Sequence, residues 1–177
     1  MKIILISGKA QHGKDTTAQL LKAELEASQH SAMIIHYADL LKYICKQYFN
    51  WDGVKDDQGR ELLQIVGTDI IRKKDPEFWV DFVIRLSKVF SDTIDYILIP
   101  DVRFPNEIQK WWENNIQPIT IRVERPEFDS NLSNSAKNHI SETALDDFNF
   151  NYILINDQSE KELKENVKII YNDIINS

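Results

Sequence analysis

At 177 residues, with 42% hydrophobic and 28% charged side chains, the chain has the size of a small enzyme and is expected to form a single domain around one core. Lys and Arg number 21 against 28 Asp and Glu, and the net charge of −7 argues against a broad basic surface for long nucleic acid while leaving room for a locally positive pocket. The one cysteine, Cys45, allows no internal disulfide, the apolar opening MKIILI is too short for a signal segment, and no apolar run approaches the roughly 20 residues that span a bilayer, so a soluble protein in a reducing cytoplasm is expected.

In chain order, the run KIILIS at 2–7 predicts a first strand, and the apolar spacing over 17–27 predicts a helix. MIIHY at 33–37 predicts the second strand, followed by helical patterns over 39–49, 60–72 and 77–90. YILIP at 96–100, a helix over 106–114, a strand over 116–123, YILI at 152–155 and a helix over 160–175 complete the series. Ile-rich strands that are apolar on both faces, alternating with helices, predict an α/β three-layer sandwich around a parallel sheet. The polar segment PEFDSNLSNSAKN at 126–138 breaks this rhythm and reads as a long loop.

Gly8, Gly13 and Lys14 match G-x-x-x-x-G-K between the first strand and the first helix, the context a phosphate-binding loop requires. Backbone N–H groups of Lys9, Ala10, Gln11 and His12, with the helix start, would wrap a β-phosphate, and Lys14 would neutralise charge between the β- and γ-phosphates. The next position carries Asp15 where a Ser or Thr hydroxyl usually binds Mg²⁺. A carboxylate there can serve as a hard metal ligand, with Thr16 and Thr17 beside it, or can cap the helix.

Asp101 and Arg103 follow the buried run YILIP, so both emerge at the carboxyl edge of the sheet, where α/β proteins bind ligands. Arg103 could grip an acceptor phosphate, and Asp101 could hold metal-bound water; a solvated pair is the alternative. Asp39 and Lys42 stand one turn apart after the second strand, either as substrate contacts or as a plain helix start. Arg60, Gln64, Thr68 and Arg72 recur every four residues and, on a continuous helix, would share one face, with Gly67 a possible break. Arg72 is the first candidate for a phosphate clamp, while Phe78 and Trp79 could stack on a base or belong to the core. Arg122, Arg125, Lys137, His139, Ser141 and Glu142 flank or occupy the polar loop and could serve a closing lid. Asn156 and Asp157 lie where a loop could back an adenine. The four histidines lack ligand spacing, so zinc is not expected.

GKDTT, ADLLK, LLQIVGTDIIRK with FWVD, DVRFPNE and HISETALDDF, in this order, resemble the phage-type deoxynucleoside monophosphate kinases over nearly the whole chain. The resemblance implies a P-loop NTPase sandwich with a five-stranded parallel sheet, a helical acceptor region over about 38–90 and a lid over about 125–140. It implies transfer of the γ-phosphate of Mg-ATP to a deoxynucleoside monophosphate, with ATP and Mg²⁺ as cofactors and no membrane or long nucleic-acid partner. Lys14, Arg103, Asp101 and Arg122 are the implied catalytic residues. Gly8 through Thr17 and Asn156 would hold ATP, and Asp15, Thr16 and Asp101 the metal. Asp39, Lys42, Arg60, Gln64, Thr68, Asp69, Arg72, Trp79, Arg103, Lys137 and Glu142 would hold the acceptor. A homodimer is compatible with the resemblance, as is a location in the cytoplasm of a host cell if a phage encodes the protein. Phosphomevalonate kinases of the animal type share the GKD loop and are the runner-up, and a nucleotide-sensing switch is the alternative of another class.

Overall fold

The computed structural model describes residues 1–128, 130, 133 and 137–176. Five parallel strands form one sheet in the order β2-β3-β1-β4-β5, with β1 Lys2–Ser7, β2 Ala32–Ile34, β3 Tyr96–Val102, β4 Ile119–Glu124 and β5 Tyr152–Ile155. The helices are α1 Lys14–Ala27, α2 Ala38–Tyr48, α3 Asp57–Gln64, α4 Phe78–Val89, α5 Asn106–Glu113, the short α6 Ile140–Thr143 and α7 Glu160–Asn176, with a π-helical segment, Ile65–Arg72, running on from α3.

Alternation along the strands divides the apolar residues between two faces. Ile3, Leu5, Ile97 and Ile99 pack with Leu41, Val80, Val83, Ile84, Ile108 and Trp111 of α2, α4 and α5. Ile4, Ile6, Leu98 and Val123 pack with Leu21 and Leu25 of α1 and with Leu163, Val167 and Ile174 of α7. The expected single core is thus two apolar clusters on opposite sides of one sheet, because a strand covered on both faces must feed two layers.

Two details of this frame position the site. The β1–β3 register shifts between Leu5 and Ser7, and the hydroxyl of Ser7 donates to the Val102 carbonyl at 3.0 Å, so the two strand ends carrying the glycine loop and Asp101 are tied together. The 60–72 helix does not break at Gly67, as its glycine suggested, but widens into the π-helical segment. A Cβ at Gly67 would stand 2.6 Å from a Leu41 methyl, and the Gly67 carbonyl accepts a hydrogen bond from Trp79 Nε1 at 3.0 Å. No helix among the described residues is long and apolar enough to cross a membrane.

Candidate active site

The glycine loop needs backbone conformations that favour glycine. Gly8 has φ 151° and Gly13 φ 95°, and added Cβ atoms would meet the Val123 carbonyl and the Asn156 amide, each at 2.4 Å. Gln11 also takes a left-handed conformation, φ 64°. Asn156, just after β5, buttresses the loop, its Nδ2 donating to the His12 carbonyl at 2.9 Å. On the same side Arg125 lies over the Phe128 ring at 4.1 Å, and its backbone N–H donates to His12 Nδ1. Thr17 Oγ1 is buried without a hydrogen-bond partner among the described residues.

Lys14 opens α1 and is 7% exposed, with Nζ donating to the Lys9 carbonyl at 2.7 Å. Burial and the nearby Arg103 guanidinium push its ammonium down to about 7, against the pull of Glu142, Asp15 and Asp101. Asp15 makes no capping hydrogen bond: Gly13 stands at the cap position, and the Asp15 carboxylate meets His36 Nε2 at 2.9 Å. That hydrogen bond lowers the Asp15 pKa and raises that of His36. His36 is held in turn by Asp39, whose carboxylate lies 3.4 Å from Nδ1.

A cavity of about 490 Å³ opens beside the loop. Its lining includes Ala10, Gln11, Lys14 and Asp15 from the loop, and Lys42, Arg60, Gln64, Thr68, Arg72 and Trp79 from the helical wall. Asp101 and Arg103 of the β3 edge and Glu142 of α6 complete this side. The four-residue spacing therefore did select one face, even though half of it lies on the π-helical segment. Asp39, Asp69, Arg122 and Lys137 do not line it. Asp39 supports His36 and Lys42 from behind, and Asp69 points out to solvent. Arg122 is buried beneath the loop, bonded to Ser7 Oγ at 3.2 Å and Asp146 at 2.8 Å. Lys9 reaches the same Asp146, and Thr16 is exposed. The lid expectation over about 125–140 falls partly on residues 129, 131, 132 and 134–136, which lie outside the described residues.

The charged groups of the cavity hold one another in place. Both Asp101 oxygens accept backbone N–H groups, of Tyr37 and Ala38, at 2.9 Å each. Glu142 bridges the Ala10 N–H of the loop at 2.8 Å and the Arg103 guanidinium at 2.9 Å, and Arg103 also donates to the Gly8 carbonyl. Arg72 lies over the Phe104 ring at 3.9 Å and meets Glu107 at 2.6 Å. Glu107, 1% exposed, also takes the N–H groups of Arg103 and Phe104. Burial pushes its carboxyl up, and Arg72 with those two N–H groups pulls it back. Lys55, His36, Phe104 and Glu107 were not singled out from the sequence. Glu107 stood within DVRFPNE, where its acidic type at a helix start was a usable signal; Lys55 carried none.

A glycine loop that ends in a buried lysine, at the edge of a parallel 2-3-1-4-5 sheet and beside a polar cavity, defines a P-loop kinase fold. Solved structures agree. The chain is 13% identical to the APS kinase CysC of Mycobacterium tuberculosis in complex with AMPPNP and APS, over 99% of this chain and 98% of that one, with a TM-score of 0.57. A CysC variant with a cysteine replaced by alanine gives 13% identity and a TM-score of 0.55, covering 99% and 97% of the two chains. The protein APE1195 gives 14% and 0.51, covering 98% and 94%. These likenesses concern the fold. No curated protein matches the sequence. The family model described as deoxynucleotide monophosphate kinase matches residues 32–167, and the chain belongs to that family. It is an ATP-dependent phosphotransferase acting on nucleotide-type phosphates.

Proposed function

We propose that this protein transfers the γ-phosphate of Mg-ATP to a deoxynucleoside monophosphate, giving a deoxynucleoside diphosphate and ADP. The observation that carries the reading is the cavity beside Lys14: it is large enough for a nucleotide, and it combines cations near the loop with a Gln64, Thr68 and Trp79 wall farther along. An oxygen of the acceptor phosphate attacks Pγ, the bond from Pγ to the bridging oxygen breaks, and ADP leaves. The attacking oxygen is already ionised, so no dedicated base is required.

The loop N–H groups and Lys14 hold the donor phosphates and stabilise charge growing on the bridging and transferred oxygens. Asn156 acts on ATP indirectly, by fixing the His12 carbonyl and so the shape of the loop. Arg103, aimed at the loop by Gly8 and Glu142, would stand between the donor and acceptor phosphates. Arg72, neutralised by Glu107, is a rigid wall for the nucleoside. No group of three metal-ligating side chains converges among the described residues, which suits Mg²⁺, an ion usually held by one or two carboxylates and the substrate phosphates. Asp15, 78% exposed at its side chain and kept ionised by His36, is the residue that would hold it, with Asp101 in support. When bound, Mg²⁺ neutralises charge on the phosphate oxygens.

The test is a coupled ADP-release assay with ATP and Mg²⁺ and a panel of the four common deoxynucleoside monophosphates, their ribose counterparts and mevalonate 5-phosphate. Turnover with at least one deoxynucleotide above that of its ribose counterpart is expected. ADP release with mevalonate 5-phosphate alone would reject the assignment.

A further inference from the structure

Six cationic side chains and four carboxylates line the cavity, a positive balance inside a chain of net charge −7. Most of these charges are spoken for. Glu107 takes Arg72, Glu142 takes Arg103, and Asp39 holds Lys42 at 2.9 Å from behind the wall. Asp15 takes His36, and Asp101 is filled by two backbone N–H groups. Lys14 belongs to the donor loop.

Lys55 and Arg60 remain. Lys55 lies in the turn before α3, Arg60 one turn into it, and neither side chain has a hydrogen bond or ion pair among the described residues. Lys55 is exposed to solvent yet lines the cavity with Arg60, and partial burial with the like charges of Lys42 and Arg60 pushes its ammonium down, while Asp15 and Asp101 act in the opposite sense. It lines the same cavity as Lys14 and Asp15 of the donor loop and Gln64 of the helical wall. Arg60 and Gln64 are four residues apart on α3 and share the face that lines the cavity. Like charges lining one cavity with no direct ion pair among the described residues repel, and a dianionic phosphate monoester between them offsets that repulsion.

We infer that Lys55 and Arg60, which line one cavity and pair with no carboxylate among the described residues, grip the phosphate of the acceptor. The role first expected of Arg72 thereby passes to cations that no carboxylate pairs with directly among the described residues. The inference rests on the acceptor being a nucleoside monophosphate. It concerns contacts to substrate, so a structural role for either residue must be told apart from it.

Steady-state kinetics of the full chain, with the acceptor varied at saturating Mg-ATP and then ATP varied at saturating acceptor, test it in Lys55→Gln, Arg60→Gln, the double variant and Lys55→Arg. Each single Gln variant should raise the acceptor KM by about tenfold and leave the ATP KM within about twofold, in line with one lost charge-assisted hydrogen bond. Lys55→Arg should stay near wild type, and melting temperatures should be unchanged. An acceptor KM within about twofold of wild type in both single variants, or an ATP KM that rises in step with it, overturns the inference. Wild-type protein that releases no ADP with any nucleoside monophosphate fails one step earlier and overturns the substrate reading together with the grip.

Discussion

Lys14 shows how burial and function pull one side chain in opposite directions. With its pKa pushed down to about 7, the ammonium is partly neutral just above that pH, and a polyphosphate beside it restores the charged form. ATP binding at pH 8 should therefore take up a proton, read by calorimetry in two buffers of different ionisation enthalpy; the uptake should vanish at pH 6 and in Lys14→Ala. The same variant should lose at least about 100-fold in turnover with its fold intact, because it removes a charge aimed at the reacting oxygens. The Asp15–His36 pair carries a separate pH dependence. The His36 pKa is raised, so that contribution to stability is full below about 6.5 and is lost as pH rises through the folded value; the Asp15 pKa is lowered, so its contribution is present above about 3.8 and lost as pH falls through the folded value. His36→Gln should thus lower the melting temperature most near pH 5–6 and little at pH 9. Asp15 is mostly exposed, which limits the effect to less than about 1 kcal/mol. A pH-independent difference would show that His36 acts through packing.

At the scale of elements, the start of α5 does more than begin a helix. Glu107 takes the N–H groups of Arg103 and Phe104 while its other oxygen meets Arg72 of the π-helical segment, joining the β3 edge to the acceptor wall. Removing one partner of a buried pair leaves the other charged and unsatisfied. Glu107→Ala should cost about 3–5 kcal/mol in urea unfolding, and adding Arg72→Met should recover much of that loss. If the double variant is no more stable than Glu107→Ala, the capping of α5 is the larger part. Gly67 supplies the neighbouring joint: its missing side chain admits Leu41, and its carbonyl receives Trp79, which fixes α4 against the widened helix.

For the whole molecule, two ligands meeting at one cavity between the loop and the helical wall predict linked stabilisation. An ATP analogue at about 100 times its Kd should stabilise the fold by about 2.7 kcal/mol, which for a domain of this size is roughly 5–10 °C in melting temperature. A deoxynucleoside monophosphate added to that complex should raise it further, and Lys14→Ala should abolish the first increment. A second increment equal in the presence and absence of the analogue would mean that the two sites are uncoupled.

The order of strands and helices, the parallel sheet and the glycine loop followed from local chemistry: runs apolar on both faces, helical spacing, and glycines where the chain must turn tightly around phosphate. Helix ends were read to within about three residues, the largest offsets being the starts of α1 at Lys14 and of α3 at Asp57, while the short α6 was not expected. Single residues at the site depended on what packs behind them. Arg72 and Arg60 look alike in sequence, yet Glu107 neutralises one and leaves the other open to the cavity. Arg122 looked like a lid cation and is instead a brace beneath the loop, because it sits on β4 facing Ser7 and Asp146. Lys55 had no motif around it, and Asp15 found its partner in a histidine 21 residues away. Spacing along the chain determines which face a residue shares with its neighbours, but a charge acquires its role from its counter-charge, and only the tertiary fold brings the two together.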